Sequence, residues 1–123
     1  MNVIHRMAHV VLVVEDEQDL RDMLRDALEL NGYSVVTASN GQEALGKLGS
    51  IQGLCLVILD LLMPVMNGWD CFQKIRERPE FASVPVVVHT SAAARAPAGA
   101  TRVLQKPMRF DRLLSVVKEY CAQ

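Results

Sequence analysis

The sequence predicts an α/β fold, a doubly wound five-stranded parallel sheet with helices on both faces and a shortened or irregular fourth helix. Three observations predict it. Short apolar or β-branched runs alternate with amphipathic segments along the whole chain. The strongest run, Leu54-Cys55-Leu56-Val57-Ile58-Leu59, has no polar alternation, so both of its faces are buried, as in a parallel sheet. Four of the five runs end in a charged or hydroxyl residue followed by a turn or loop: Glu15-Asp16, Asp60, Thr90-Ser91 and Lys106. Right-handed crossovers bring those ends to one edge, and the expected strand order is 2-1-3-4-5.

Each element has its own signature. His9 to Val14 is a β-branched strand ending in Glu15-Asp16. Leu20, Met23, Leu24, Ala27 and Leu28 follow at helical spacing, and Asn31-Gly32 ends that helix. Tyr33 to Ala38 is a second strand. Asn40 caps the next helix, with Glu43 in capping-box register and Ala44, Leu45 and Leu48 inward. The Leu54–Leu59 strand ends at Asp60, with Pro64 and Asn67-Gly68 as breakers behind it. Trp69, Phe72 and Ile75 mark a third helix. Val86 to Thr90 and Arg102 to Gln105 are the last two strands, and Phe110, Leu113, Leu114, Val117 and Tyr120 line the last helix. Between those strands, Ser91 to Ala100 carries Pro97 and Gly99, which leaves room for one or two helical turns at most.

The bulk properties exclude several classes. The 123 residues suit one domain, expected over 1–123 with a core of about 8–121 and residues 1–7 as an N-terminal extension. A net charge of −1 gives no electrostatic reason to bind nucleic acid or an anionic membrane directly. Apolar runs fall far short of the ~20 residues of a membrane span, and Met1 to Arg6 lacks a signal-peptide core. A cytoplasmic protein is expected. Cys55, Cys71 and Cys121 are odd in number and widely spaced, so they are expected to be core thiols, neither ligands nor disulfide partners.

Asp16 alone is explained as a helix cap, Asp60 as a turn residue and Lys106-Pro107 as a strand exit. Together on one sheet edge they need a common explanation. Adjacent strands lie ~4.8 Å apart, so Glu15, Asp16 and Asp60 would converge. Carboxylates that close repel one another unless a cation sits among them, and an oxygen-only set suits Mg²⁺ rather than zinc. Asp60 then reads as a nucleophile toward phosphorus, with Lys106 and the Thr90 hydroxyl suited to bind the oxygens of a transferring phosphoryl group.

These residues resemble a known family. VVEDE at Val13 to Glu17, LDLLMPVMNG at Leu59 to Gly68, Pro85 through Thr90, and QKP at Gln105 to Pro107 are similar to the receiver domain of two-component response regulators. That resemblance, which covers residues 8 to 121, implies a CheY-like, flavodoxin-like fold. It implies that Asp60 is the phosphorylated residue and that Asp16 binds Mg²⁺ directly, Glu15 through water, and Leu62 through its main-chain carbonyl. Thr90 would be the switch hydroxyl, with Ser91 as the alternative. Lys106 would contact a phosphoryl oxygen, and its bond to Pro107 is often cis. The donor would be a phosphohistidine of a histidine kinase or phosphotransfer protein, and the output partner an unspecified downstream protein. The chain would act as a phosphoacceptor regulator and not as a turnover enzyme.

Three departures stand against the family pattern. Thr90 to Lys106 spans only 16 residues, Val103 occupies the usual place of a switch aromatic, and Arg109 stands where a capping Asp, Ser or Thr is common. They motivate a second reading, a phosphorylation-independent interaction module. A haloacid-dehalogenase-type phosphatase would need a second acid two positions after the nucleophile, where this chain has Leu62. A flavin-binding protein fits less well still, since the first strand exit lacks a glycine- and hydroxyl-rich phosphate loop. His89 is expected to be packed or surface-facing.

Overall fold

The computed structural model of the chain describes residues 10–121. His9 and the 1–7 extension lie outside the described residues. Five parallel strands form one sheet in the order β2-β1-β3-β4-β5, as expected. They are β1 (Val10–Val14), β2 (Ser34–Ala38), β3 (Leu54–Leu59), β4 (Val86–Thr90) and β5 (Arg102–Gln105). Four α-helices connect or follow them: α1 (Gln18–Leu30), α2 (Gly41–Leu48), α3 (Gly68–Glu77) and α4 (Phe110–Tyr120).

The period-2 geometry of the strands divides the core into two layers. Val11, Val13, Leu56, Ile58 and Val87 face Leu24 and Leu28 of α1 and Leu113, Val116 and Val117 of α4. Leu12, Val14, Val57, Leu59, Val86 and Val88 face Ala44 and Leu48 of α2 and Cys71, Phe72 and Ile75 of α3. The unbroken apolar runs are thus explained residue by residue, since odd and even positions enter different cores.

Local signals account for most boundaries. Asn40 accepts the Glu43 N–H (2.8 Å) at the start of α2, and the Glu43 carboxylate takes the Ser39 N–H and hydroxyl. Asn67 caps α3 by accepting the Asp70 N–H (2.9 Å). Arg109 gives α4 no side-chain cap, and its guanidinium turns to Asp111 instead. The segment between β4 and β5 forms a single 3₁₀ turn, Ala93–Arg95, in line with its Pro97 and Gly99. Met23 departs from the expected stripe of α1. It is 53% exposed and stands beside the sheet edge, because α1 is a surface helix whose inward face is centred on Leu24 and Leu28.

The cysteines correct the expectation of core thiols. Cys55 at the start of β3 and Cys121 just after α4 form a disulfide, with their Cα atoms 5.3 Å apart. Spacing in sequence hid the pair, because 66 residues separate them. The fold brings them together by laying α4 back across the sheet, and Cys71 stays a buried free thiol. Closing a 66-residue loop restricts the unfolded chain, which gives a stabilisation of up to about 4 kcal/mol. Reductant and Cys121→Ser are therefore expected to lower the urea midpoint by the same amount. An unchanged midpoint would show that the bond contributes nothing.

Candidate functional site

Register builds the site. Val14 pairs with Leu59, and Leu59 with Val88. The next residues, Glu15 and Asp60 just past their strands and His89 within β4, therefore stand at one level. The Asp60 N–H bonds the Val14 carbonyl (3.1 Å) and the Lys106 N–H bonds the Thr90 carbonyl (2.9 Å). The order in which strands are added reverses between β1 and β3, which opens a crevice between their C-terminal ends.

The loop after Asp60 is shaped to serve it. Gly68 packs directly on the strand end: a Cβ there would overlap the Asp60 carbonyl oxygen and lie 2.6 Å from Leu61 Cα. The Gly68 N–H bonds the Leu61 carbonyl, so the loop closes back on β3. Between them Val65 sits at φ 70 inside a tight turn from the Pro64 carbonyl to the Met66 N–H (2.8 Å). A β-branched residue at positive φ is strained. The strain is held in place because Met66 also accepts the Gly41 N–H at the start of α2.

Glu15, Asp16 and Asp60 place one carboxylate oxygen each within 4.8 Å of the others. Glu15 and Asp60 are buried and Asp16 is exposed. Lys106 reaches in from the end of β5, and its ammonium lies 2.7 Å from Glu15 Oε1 and 3.0 Å from Asp60 Oδ2. The Lys106–Pro107 peptide is cis, as expected. The second oxygen of Glu15 accepts the Glu17 N–H (3.1 Å), and Asp60 Oδ1 accepts the Leu62 N–H (3.3 Å). Arg21 donates to the Glu15 and Asp16 carbonyls, which fixes the turn into α1. Burial pushes the Glu15 carboxyl above its ordinary value, and the hydrogen bond from Lys106 only partly offsets this. Burial also pulls on the Lys106 ammonium, but hydrogen bonds to Glu15 and Asp60 outweigh it and hold the ammonium above its ordinary value.

The remaining residues divide. Leu62 is 47% exposed at the rim. Thr90 is buried, and its hydroxyl accepts the Ala92 N–H (3.2 Å). Ser91 lines the crevice and Thr90 does not. The crevice encloses about 680 Å³, with Leu20, Met23, Leu62, Pro107 and Met108 as its apolar wall. Three contributors escaped the sequence reading. His89 lines the crevice with only 5% of its surface exposed, and neither ring nitrogen has a hydrogen-bond partner among the described residues. Burial, with help from the Lys106 charge, pushes it down to about 4, so its ring is neutral at physiological pH. A lone His breaking a valine run was its signal. Arg21 and Gln105 act on backbone carbonyls, and nothing in sequence marks such contacts.

A doubly wound parallel sheet with clustered acids facing a strand-end lysine at one edge defines a class, the flavodoxin-like α/β domain with an acidic site at its switch point. The comparisons with known proteins give the family. The family described as "Response regulator receiver domain" matches residues 11–118, and the chain belongs to it. The chain is 35% identical over 114 residues to the transcriptional regulatory protein CpxR homolog of Haemophilus influenzae, covering 88% of this chain and 48% of that protein. It is 34% identical over 117 residues to an uncharacterized 14.6 kDa protein of Leptolyngbya boryana, with 90% and 88% covered. A solved structure similar to it is the response regulator TrrA of Thermotoga maritima in complex with Mg(2+)-BeF, at TM-score 0.78 and 32% identity, covering 89% of this chain and 96% of that one. The chain spans about half the length of the CpxR homolog and 33% of a probable transcriptional regulator, ycf27, of Cyanidium caldarium. The family is one of regulators, and receiver domains work with histidine kinases; a sensor histidine kinase, TmoS, is 44% identical over 78 residues. Among the described residues no helix is long and apolar enough to cross a membrane.

The raised Glu15 carboxyl has a consequence for stability. The folded state holds the Glu15 proton to higher pH than the unfolded chain. Its contribution is fully present below the ordinary value of 4.5 and is lost as pH rises through the folded value. With divalent ions chelated, wild type is therefore expected to lose stability from pH 4.5 toward neutrality relative to Glu15→Gln. Urea midpoints across that range check it, and a constant difference between the two proteins would contradict it.

Proposed function

We propose that the domain accepts a phosphoryl group on Asp60 from a phosphohistidine of a histidine kinase or phosphotransfer protein, in a Mg²⁺-dependent reaction, and thereby switches a downstream protein contact. The observation that carries this reading is the buried Asp60 carboxylate held between Lys106 and two further carboxylates at the mouth of an open crevice.

The donor set fits the ion. Its three clustered groups are all carboxylates, and no His or Cys belongs to the group, which suits a hard cation. Asp16 and Asp60 would hold it with their carboxylates, Leu62 with its carbonyl and Glu15 through water. When bound, the ion supplies positive charge against the clustered acids and the incoming phosphoryl oxygens.

An Asp60 carboxylate oxygen attacks the phosphorus, the P–N bond of the phosphohistidine breaks with its electron pair going to nitrogen, and the ring, already protonated on its other nitrogen, leaves as neutral imidazole. Lys106 orients Asp60 before the reaction and exchanges that contact for a phosphoryl oxygen afterwards. The Thr90 hydroxyl leaves the Ala92 N–H and turns to the new anion; Ser91, on the crevice wall, is the alternative donor. The apolar wall around the mouth suits a protein partner, and no direct contact with nucleic acid or membrane is part of this reading. A cytoplasmic setting follows from a kinase partner, and there the thiol reductants of the cytosol would reduce the Cys55–Cys121 bond to two thiols.

A second reading, an interaction module indifferent to phosphate, draws on the single 3₁₀ turn between β4 and β5 and on Val103, which is 42% exposed where an aromatic switch would sit.

Acetyl phosphate with Mg²⁺ is expected to add one phosphoryl mass to wild type and none to Asp60→Asn. Mass spectrometry decides it: labelling that persists in Asp60→Asn removes Asp60 from the role, and an unlabelled wild type favours the second reading. Loss of the group should also be slow. Leu62 and Ala92, two residues past Asp60 and Thr90, have no side-chain group to orient an attacking water. Rapid decay in purified protein would contradict that.

A further inference from the structure

The 91–101 segment is attached to the domain very unevenly. Its far end is locked, because the Thr101 hydroxyl accepts the Val86 N–H (2.9 Å) and the Thr101 N–H bonds the Val86 carbonyl (2.9 Å). Its middle rests on α3, where a Cβ on Gly99 would come within 3.3 Å of the Phe72 ring. Its near end is held by Gln105, which donates to the Ser91 carbonyl (3.1 Å), and by a chain of three hydrogen bonds that runs on to α3. The Ala92 N–H donates to the Thr90 hydroxyl (3.2 Å), and the Arg95 N–H donates to the Ala92 carbonyl (2.9 Å). The Trp69 indole N–H then donates to the Arg95 carbonyl (2.7 Å), while the Arg95 guanidinium lies 5.1 Å from the centre of the indole ring. The 3₁₀ turn that links these bonds is three residues long. A turn that short does not hold itself and keeps its shape only while both ends are tied.

We propose that Trp69 is a positioning residue for Thr90: it clamps Arg95 and so holds the Thr90 hydroxyl withdrawn from the Asp60 crevice, making occupation of the crevice and release of the clamp mutually coupled. This rests on the reading of Asp60 as phosphoacceptor and Thr90 as switch hydroxyl. When Thr90 turns toward an anion on Asp60, the Ala92 N–H loses its acceptor. The turn then loses its near tie, and the Arg95 carbonyl and guanidinium shift off the indole. The state of Asp60 is thereby written onto the start of α3.

Trp69 is the sole tryptophan of the chain, so its emission reads the clamp directly. The probe is beryllofluoride with Mg²⁺, compared with Mg²⁺ alone, and its occupancy is read separately as protection from acetyl phosphate labelling. Wild type is expected to change Trp69 emission on adding beryllofluoride. Thr90→Ala, compared at whatever beryllofluoride concentration gives it full protection, is expected to lose the emission change. Arg95 is exposed, so Arg95→Ala keeps the fold while stripping the guanidinium from the ring. By reciprocity, the weakened clamp should let beryllofluoride protect at about two- to five-fold lower concentration. Trp69→Phe, which removes the indole N–H, should shift protection in the same direction. Silent emission in a protected wild type, or unchanged protection in both clamp variants, would overturn the clamp alone. A wild type that neither takes the phosphoryl group nor responds to beryllofluoride would overturn the reading of Asp60, and the clamp with it.

Discussion

Everything at the edge of this sheet depends on holding like charges together. Glu15, Asp16 and Asp60 put oxygens within 4.8 Å of one another, and at an effective dielectric of ~20 one such pair repels by about 4 kcal/mol. Two structural devices make this tolerable. Lys106 spans Glu15 and Asp60 with one ammonium, and backbone N–H groups of Glu17 and Leu62 take the remaining lone pairs. Asp16 remains exposed, where water screens it. Glu15 still holds its proton above its ordinary value, chiefly because burial strips water from its carboxylate.

The strands that carry these groups are spent on holding them in register. A one-residue slip of β3 against β1 would send Asp60 to the other face and leave Lys106 with Glu15 alone. The slip is blocked from both sides, since Ile58 and Leu59 enter opposite cores. The strained Val65 turn and the close seat of Gly68 on the Asp60 carbonyl show the same logic in the loop. Backbone conformations that are poor locally persist because α2 and α3 fix both ends of the loop.

Much of this was legible in the residues. Apolar runs, capping residues and strand-end charges predict the elements, the strand order and the meeting of Glu15, Asp16, Asp60 and Lys106. What escaped was of one kind: contacts made by chance of packing rather than by local pattern. The Cys55–Cys121 bond joins residues 66 apart, so no spacing rule reaches it. His89 sits at the level of Asp60 because of strand register, and its place after a valine run marks it as unusual without showing that its ring finds no hydrogen-bond partner among the described residues. Met23 fits a helical stripe by spacing, yet it lies at the edge of the buried arc and faces the crevice. Arg21 and Gln105 bind carbonyls, groups that every residue carries and that sequence therefore cannot single out.

The shortened segment between β4 and β5 raises a different constraint. Pro97 and Gly99 rule out a long helix there, yet the outer face of Val86 and Val88 still has to be covered. Irregular chain covers it through Ala96 and Ala100. Such chain cannot satisfy its own backbone groups as a helix does. It borrows partners instead: the Trp69 indole for the Arg95 carbonyl, Gln105 for the Ser91 carbonyl, and the Thr90 hydroxyl for the Ala92 N–H. A helix in this place would move as a body, with its hydrogen bonds intact. A strap that depends on borrowed partners changes shape whenever one of them turns away. The shortened segment thus hangs between Thr90 at the end of β4 and Trp69 at the start of α3.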